Sequence, residues 1–341
     1  KQRKSMPDFA IQAHAATLDA LDQAGLAPED LRSDRCGLVF GNDSTVQSVV
    51  DQQTALQEAG CTSGMGSGHV FRCMNSTITM NLNVLLGNTG PSWTVSAACA
   101  SGAYAIGQAA DQIRLGRLDR VVCGAAQELN WPSVCSFDGL GAFSARTPAA
   151  AASRPFDKGR DGLVPSGGAA ALLLEDYDTA HRRNACILAE VLGFGCSADG
   201  ETLSVPSRTG LARAMRMALA EGGLSTADVD IVNAHATSTP QGDAAEAANL
   251  RAVFGADCPD VMALKSLTGH ELWMSGASQV AYAVIMAQAG FTAATINYEE
   301  PDEDTAGIPV LVRRLEQPPR VVLNNAAGFG GSNASIALRL G

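Results

Sequence analysis

Short apolar runs alternate along the chain with longer stretches whose apolar residues recur every three or four positions. The short runs predict buried strands: Cys36 to Phe40, Ser92 to Val95, Arg120 to Ala125, Ala169 to Leu174, Ile187 to Gly193, Asp230 to Ala234, Val261 to Leu264, Arg320 to Asn324 and Ser332 to Leu338. The periodic stretches predict helices at Pro7 to about Gln23, 46–58, Met74 to Leu86, Ala100 to Leu115, Thr209 to Glu221, Gln241 to Phe254 and 276–289. Pro7 opens the first of these and Gly25 closes it, as the chemistry of helix ends favours. Thr62 to Gly68 reads as a Gly/Ser loop, Trp131 to Thr147 as irregular, and Ser153 to Gly162 as a charged turn. Met74, Ile78, Leu82 and Leu85 share one helical face and are core by default. Strands alternating with helices imply an α/β protein with a mostly parallel sheet covered on both faces. No linker or low-complexity segment divides the chain.

Several chemically capable side chains fall just after predicted strands. Cys99 follows Thr94-Val-Ser-Ala-Ala and precedes a helix-like stretch. The first N–H groups of a helix lack internal partners, so this position pushes a thiol toward thiolate. Ala97, Ala98, Ala100, Gly102 and Ala103 leave room beside it. His235, Lys265 and His270 also follow short apolar runs, and open α/β sheets bind ligands at the carboxyl ends of strands. Of the remaining histidines, His14 and His181 lie in helical, surface-like contexts and His69 in the Gly/Ser loop; all three read as structural. A cysteine with two histidines at strand ends suggests nucleophilic acyl chemistry, although each histidine alone is also compatible with a core role.

Composition narrows the class. The 341 residues are 46% hydrophobic and 17% charged, with 35 glycines, which suits a packed α/β enzyme. A net charge of −11 argues against nucleic acid or an anionic membrane as partner. No apolar run reaches the roughly 20 residues of a membrane-spanning helix, and no signal peptide is visible. The nine cysteines are scattered without a CxxC pair, so neither a disulfide framework nor a metal site is expected, and a cytoplasmic setting is.

Four motifs occur in order: the cysteine elbow at Cys99, His235-Ala-Thr237-Ser-Thr239-Pro, Lys265-Ser-Leu-Thr-Gly-His270, and Gly328-Phe329-Gly330-Gly331-Ser-Asn333. Together they resemble the β-ketoacyl-acyl-carrier-protein synthases, Cys-His-His condensing enzymes of the thiolase superfamily, and the elongating members most closely. The resemblance runs from about Lys1 to Leu340. It implies a thiolase-like fold of two pseudo-repeated βαβ halves, 1–175 and 176–341, in five layers. It also implies decarboxylative condensation of an acyl thioester on Cys99 with malonyl-acyl-carrier protein, in a cytoplasmic homodimer, without a metal or dissociable cofactor.

By the same resemblance His235 and His270 hydrogen-bond the enolate, and the N–H groups of Cys99 and Phe329 form an oxyanion hole. Gly328 and Gly330 shape that loop. Lys265 stands behind the histidines, paired with a buried Glu246. Thr237 and Thr239 bind the phosphopantetheine arm, and Phe137 lines the acyl pocket, where a plain core role is equally compatible. Met74 to Leu86 lines the partner's pocket, and Lys1, Lys4 and Arg72 dock the acidic carrier protein. The sequence departs from the family in three places. A stretch with a central first strand is not present ahead of Lys1, Ala327 replaces a gate phenylalanine, and Trp273 stands in a run usually made of small residues. The rival readings are a chain-length-factor-like partner subunit, a thiolase acting on coenzyme A, a type III initiating synthase (which has asparagine where His270 stands), a malonyl decarboxylase that does not elongate, and an acyl-binding scaffold. The partner subunits lack the cysteine and thiolases need a second one near the C-terminus, so Cys99 with both histidines favours the synthase.

Overall fold

The computed structural model describes residues 2–341. Nine strands sort into two sheets. The first contains β1 (Cys36–Gly41), β2 (Ser92–Val95), β3 (Arg120–Gln127) and β4 (Gly168–Glu175), in spatial order β2-β1-β3-β4. The second contains β5 (Ala189–Ala198), β6 (Ile231–Asn233), β7 (Asp260–Met262), β8 (Val321–Gly328) and β9 (Ser332–Leu340), in order β5-β9-β8-β6-β7. Each sheet is mostly parallel, as expected, with a single reversed strand, β4 in the first and β9 in the second. β1 runs parallel to β2 and β3, and β6 to β7 and β8, but β4 is antiparallel to β3, and β9 to β8 and β5. For β8 and β9 the cause is the short Phe329–Gly331 turn between them, since a turn that tight joins only antiparallel neighbours.

The two sheets repeat one plan. β2-β1-β3-β4 corresponds to β7-β6-β8-β9, each closed by its antiparallel strand. The second sheet adds β5 outside β9, whereas the outer edge of β4 carries no strand among the described residues.

Alternation along the strands builds five layers, because successive side chains face opposite sides of a sheet. Val121, Cys123 and Ala125 of β3 face a central core with Val322 of β8 and Ile336 of β9. Val122 and Ala126 of β3 face the other way, onto Phe9, Leu21, Ile78 and Leu82 of the Asp8–Gln23 and Thr77–Leu86 helices. Leu323 and Ala337 likewise face the Gly210–Glu221 and Pro240–Phe254 helices. Between the sheets lie the Ser101–Arg114 and Ser275–Ala289 helices. They meet closely where each has glycine: a Cβ on Gly102 would lie 2.7 Å from Ala277 N, and one on Gly276 2.6 Å from Ala103 N. Both contacts are at helix N-termini, which sets Cys99 and His270, each just upstream, on one side of the molecule.

Two local expectations change. Trp131–Gly139 is a helix, not irregular: the Asn130 side chain accepts the Ser133 N–H at 2.9 Å and Pro132 sits in the first turn, a start signal written in Asn130-Trp-Pro-Ser133. β5 continues past Gly193 to Ala198, with one register shift between Val191 and Gly193, because pairing with β9 outweighs glycine's poor strand propensity.

Candidate active site

Cys99 sits in the tight turn between β2 and the Ser101–Arg114 helix. The turn is held by Ser101, whose hydroxyl accepts the Ala97 N–H at 2.8 Å and donates to Ala98 O at 2.6 Å. Ala98 adopts φ 47, a conformation rare outside glycine. Among the described residues no backbone carbonyl accepts the Cys99 N–H. The thiol is buried, and burial pushes it up to about 12 against the Lys265 charge, which pulls it down. The resting group is therefore a thiol. Desolvation here outweighs the helix start from which a thiolate was expected.

β6 delivers His235. The strap that follows is strained, with Ala236 at φ 27 and Ser238 at φ 67. Two buried carboxylates from the Pro240–Phe254 helix lock it. Glu246 accepts the N–H of His235 at 3.0 Å and of Ala236 at 2.7 Å, together with the Asn325 amide at 3.2 Å. Asp243 accepts the N–H of Ser238 at 3.1 Å and of Phe156 at 2.8 Å. Burial raises both carboxyls, Asp243 to about 7, against these donors.

β7 leads to Lys265 and, one helical turn on, His270. The His270 backbone is pinned on both sides, its N–H to Val164 O at 2.7 Å and its C=O from Ser166 N–H at 2.9 Å. Lys265 is fully buried and donates to Gln279 Oε1 at 2.9 Å. The expected ion pair with Glu246 does not form, because Glu246 is occupied by the strap and Gln279 takes the ammonium instead. Burial lowers Lys265 to about 8, and the nearby charges of Glu271 and Glu246 pull it back up. Glu271 itself is buried and accepts from Tyr282 Oη at 2.8 Å and Ser278 Oγ at 3.0 Å. Gln279, Glu271 and Asp243 were not singled out from the sequence; the available signal was polar residues inside otherwise small, apolar helical runs.

The two imidazoles meet edge to face, centroids 5.2 Å apart at 86°. Burial drives both pKa values well below the usual histidine value, with the Lys265 charge adding to it, so both rings are neutral at pH 7. Nδ1 of each is buried without a partner among the described residues. Cys99, His235 and His270 line one cavity of about 410 Å3, whose walls also include Thr237, Thr239 and Phe329. Thr237 and Thr239 share a hydroxyl–hydroxyl bond of 2.9 Å, and Thr239 caps the helix by accepting the Gly242 N–H at 3.2 Å. Phe137 and Gly328 line the cavity as expected; Gly330 does not, since it makes the turn at φ 76 and donates to Leu203 O at 2.8 Å. Phe329 stacks on Phe137, centroids 5.8 Å apart. Ala327 also lies on the wall.

On the surface, the Gln2–Ser5 turn packs against the His69–Arg72 helix, so Lys4 and Arg72 lie on adjoining elements. Arg72 reaches Asp51 at 4.0 Å. Lys1 lies outside the described residues. No helix among those residues is long and apolar enough to cross a membrane.

A buried cysteine and two neutral imidazoles around one cavity, in a doubled five-layer α/β fold, define an acyltransferase of the thiolase-like class. The chain belongs to the β-ketoacyl synthase family: the family's N-terminal domain matches residues 1–180 and its C-terminal domain residues 188–299. It is 36% identical over 339 residues to 3-oxoacyl-[acyl-carrier-protein] synthase 1 of Escherichia coli (strain K12), covering 98% of this chain and 82% of that protein. It superimposes on a β-ketoacyl synthase from Burkholderia phymatum STM815 with a TM-score of 0.93 at 34% identity, covering 100% of this chain and 84% of that one. A type II polyketide ketosynthase bound to its acyl-carrier protein, AntDE:AntF, matches with a TM-score of 0.92 at 27% identity, covering 99% of this chain and 86% of that one.

Proposed function

We propose that this chain condenses an acyl group carried on Cys99 with malonyl-acyl-carrier protein to give a 3-oxoacyl thioester. The observation that carries the reading is the single cavity on which Cys99 and two neutral, edge-to-face imidazoles converge. In the first half-reaction the Cys99 sulfur attacks the thioester carbonyl of an acyl-carrier protein. The C–S bond to the phosphopantetheine breaks, and the proton from Cys99 leaves with that thiol. The negative oxygen of the tetrahedral intermediate accepts from the N–H groups of Cys99 and Phe329.

In the second half-reaction malonyl-carrier protein occupies the same channel, its arm against the Thr237 and Thr239 hydroxyls. The bond to the carboxylate breaks, CO2 leaves, and the electron pair becomes the enolate of an acetyl thioester. Neutral His235 and His270 donate to that enolate oxygen, and Lys265 behind them adds positive field. The enolate carbon then attacks the acyl carbonyl, the C–S bond to Cys99 breaks, and the departing thiolate takes up one proton from water to restore the thiol. The atoms balance without a metal or organic cofactor. Lys4 and Arg72, on adjoining elements, supply a basic patch for an acidic carrier protein. Exposed apolar side chains on and beside the Thr77–Leu86 helix, Phe71, Met74 and Val84, support a homodimer. The test is peptide mass spectrometry after mixing with acyl- and malonyl-carrier proteins. The reading requires an acyl mass on the Cys99 peptide that malonyl discharges as a two-carbon-longer product. Carbon dioxide release without any acyl mass on Cys99 would favour the decarboxylase instead.

A further inference from the structure

The cavity that Cys99 lines has Phe137, Leu140 and Ala142 in its wall. Behind Phe137 lies a closed apolar cluster of Cys99, Val134, Phe137, Leu272 and Trp273, with Ala142 and Phe143 packed against it. The Trp273 indole sits 6.2 Å from the Phe137 ring, which is stacked in turn on Phe143 at 6.4 Å and on Phe329 at 5.8 Å. Neither Val134, Leu272 nor Trp273 lines the cavity. Resting on the reading above, we infer that Trp273 is a specificity-determining wall: it closes the acyl pocket just past the nucleophile and restricts the enzyme to short acyl groups.

Two features say that this tryptophan is kept for function and not for stability. Its indole N–H is buried with no acceptor among the described residues, an arrangement that costs stability. The residue that aims it, Leu272, is fully buried at φ 46, a strained conformation for a leucine. A packed aromatic core would need neither. The wall is also anchored: Leu272 O accepts the Ser275 hydroxyl at 2.8 Å, which ties the turn to the start of the central helix. An acyl chain that outgrows the cavity must displace the indole, and a fixed wall makes that cost rise with each added methylene.

The experiment is single-turnover loading of Cys99 from carrier proteins bearing acetyl, butyryl, hexanoyl, octanoyl and dodecanoyl groups, read by peptide mass, in the wild type, W273F, W273L and W273A. The wild type should load acetyl to hexanoyl and discriminate against dodecanoyl. Removing the indole should raise the dodecanoyl-to-butyryl ratio by about fourfold per methylene newly buried, in the order W273F, W273L, W273A. Equal loading of butyryl and dodecanoyl by the wild type overturns the inference. An unchanged ratio in a folded W273L or W273A does so as well. W273L, closer in bulk, carries the comparison if W273A melts early. A folded wild type that loads none of the five groups would instead sink the condensation reading itself.

Discussion

Gly328→Ala isolates the oxyanion hole. Gly328 has φ −129 and ψ 159, extended values that alanine adopts freely, so the substitution adds no backbone strain of its own. Its effect is steric and local. The new methyl would lie 3.0 Å from Cys99 N, 3.0 Å from Ala98 Cβ and 2.7 Å from Ala97 O. To reach ordinary van der Waals separation the two segments must part by about half an ångström. Ala98 already sits at φ 47 and the turn is clamped by Ser101, so the Cys99 segment yields little. The methyl therefore shields the Cys99 N–H from an oxyanion or pulls Phe329 N–H away from it. Losing one such donor costs on the order of 100- to 1,000-fold in turnover. The assay is single-turnover acyl transfer to Cys99 followed by peptide mass, alongside carbon dioxide release from malonyl-carrier protein and a thermal melt. Acyl transfer should fall by that factor, while decarboxylation, which depends on His235 and His270, falls far less. Acyl transfer within a few-fold of wild type in a normally folded variant would refute the placement of the hole.

Lys265 carries its charge below about pH 8 and loses it above, so decarboxylation should decline as pH rises through that value; Lys265→Met should remove the limb, and a profile unchanged by the substitution would exclude Lys265 as its source. Cys99 is a buried thiol raised to about 12, whereas exposed Cys61 is lowered by Ser63, so iodoacetamide at neutral pH should label Cys61 well before Cys99, as peptide mapping would report. Glu246→Gln turns an acceptor of three donors partly into a donor, leaving buried N–H groups unpaired; the fold should lose about 1–3 kcal/mol in a denaturant melt. Cys99→Ala should abolish acyl transfer yet retain carbon dioxide release, and His270→Ala should do the reverse. Condensation by the first variant would end the nucleophile assignment.

The positions of Cys99, His235 and His270 were legible because each follows a short apolar strand, and strand ends in such sheets converge. What the chain did not disclose were properties of the assembled interior. The protonation of Cys99 depends on how completely the two halves bury it, and the local helix start pointed the other way. The partner of Lys265 is Gln279, on the far side of a helix whose small apolar residues read only as core. Glu246 was legible as a buried carboxylate, but its task, holding a strap at φ 27 and φ 67, depends on backbone angles that sequence does not display. The Trp131–Gly139 helix is readable in its cap, but glycines and aromatics dominate the segment and mask its periodicity. The reversal of β9 follows from a turn whose tightness is visible only once β8 and β9 are paired.

The close approach of Gly102 to Ala277, and of Gly276 to Ala103, bears on how such a protein can diversify. With the two central helices touching backbone to backbone, any larger side chain there would drive the sheets apart and carry Cys99 away from the histidines. Inheritance in this region is therefore all or nothing, and the Leu272–Trp273 turn is bound to it through the start of the central helix. The Phe137 helix and the Leu203 loop lie apart from the seam; novelty in substrate can accumulate on those two pieces without renegotiating the chemistry, and an engineer grafting a different pocket would exchange them and leave the spine alone.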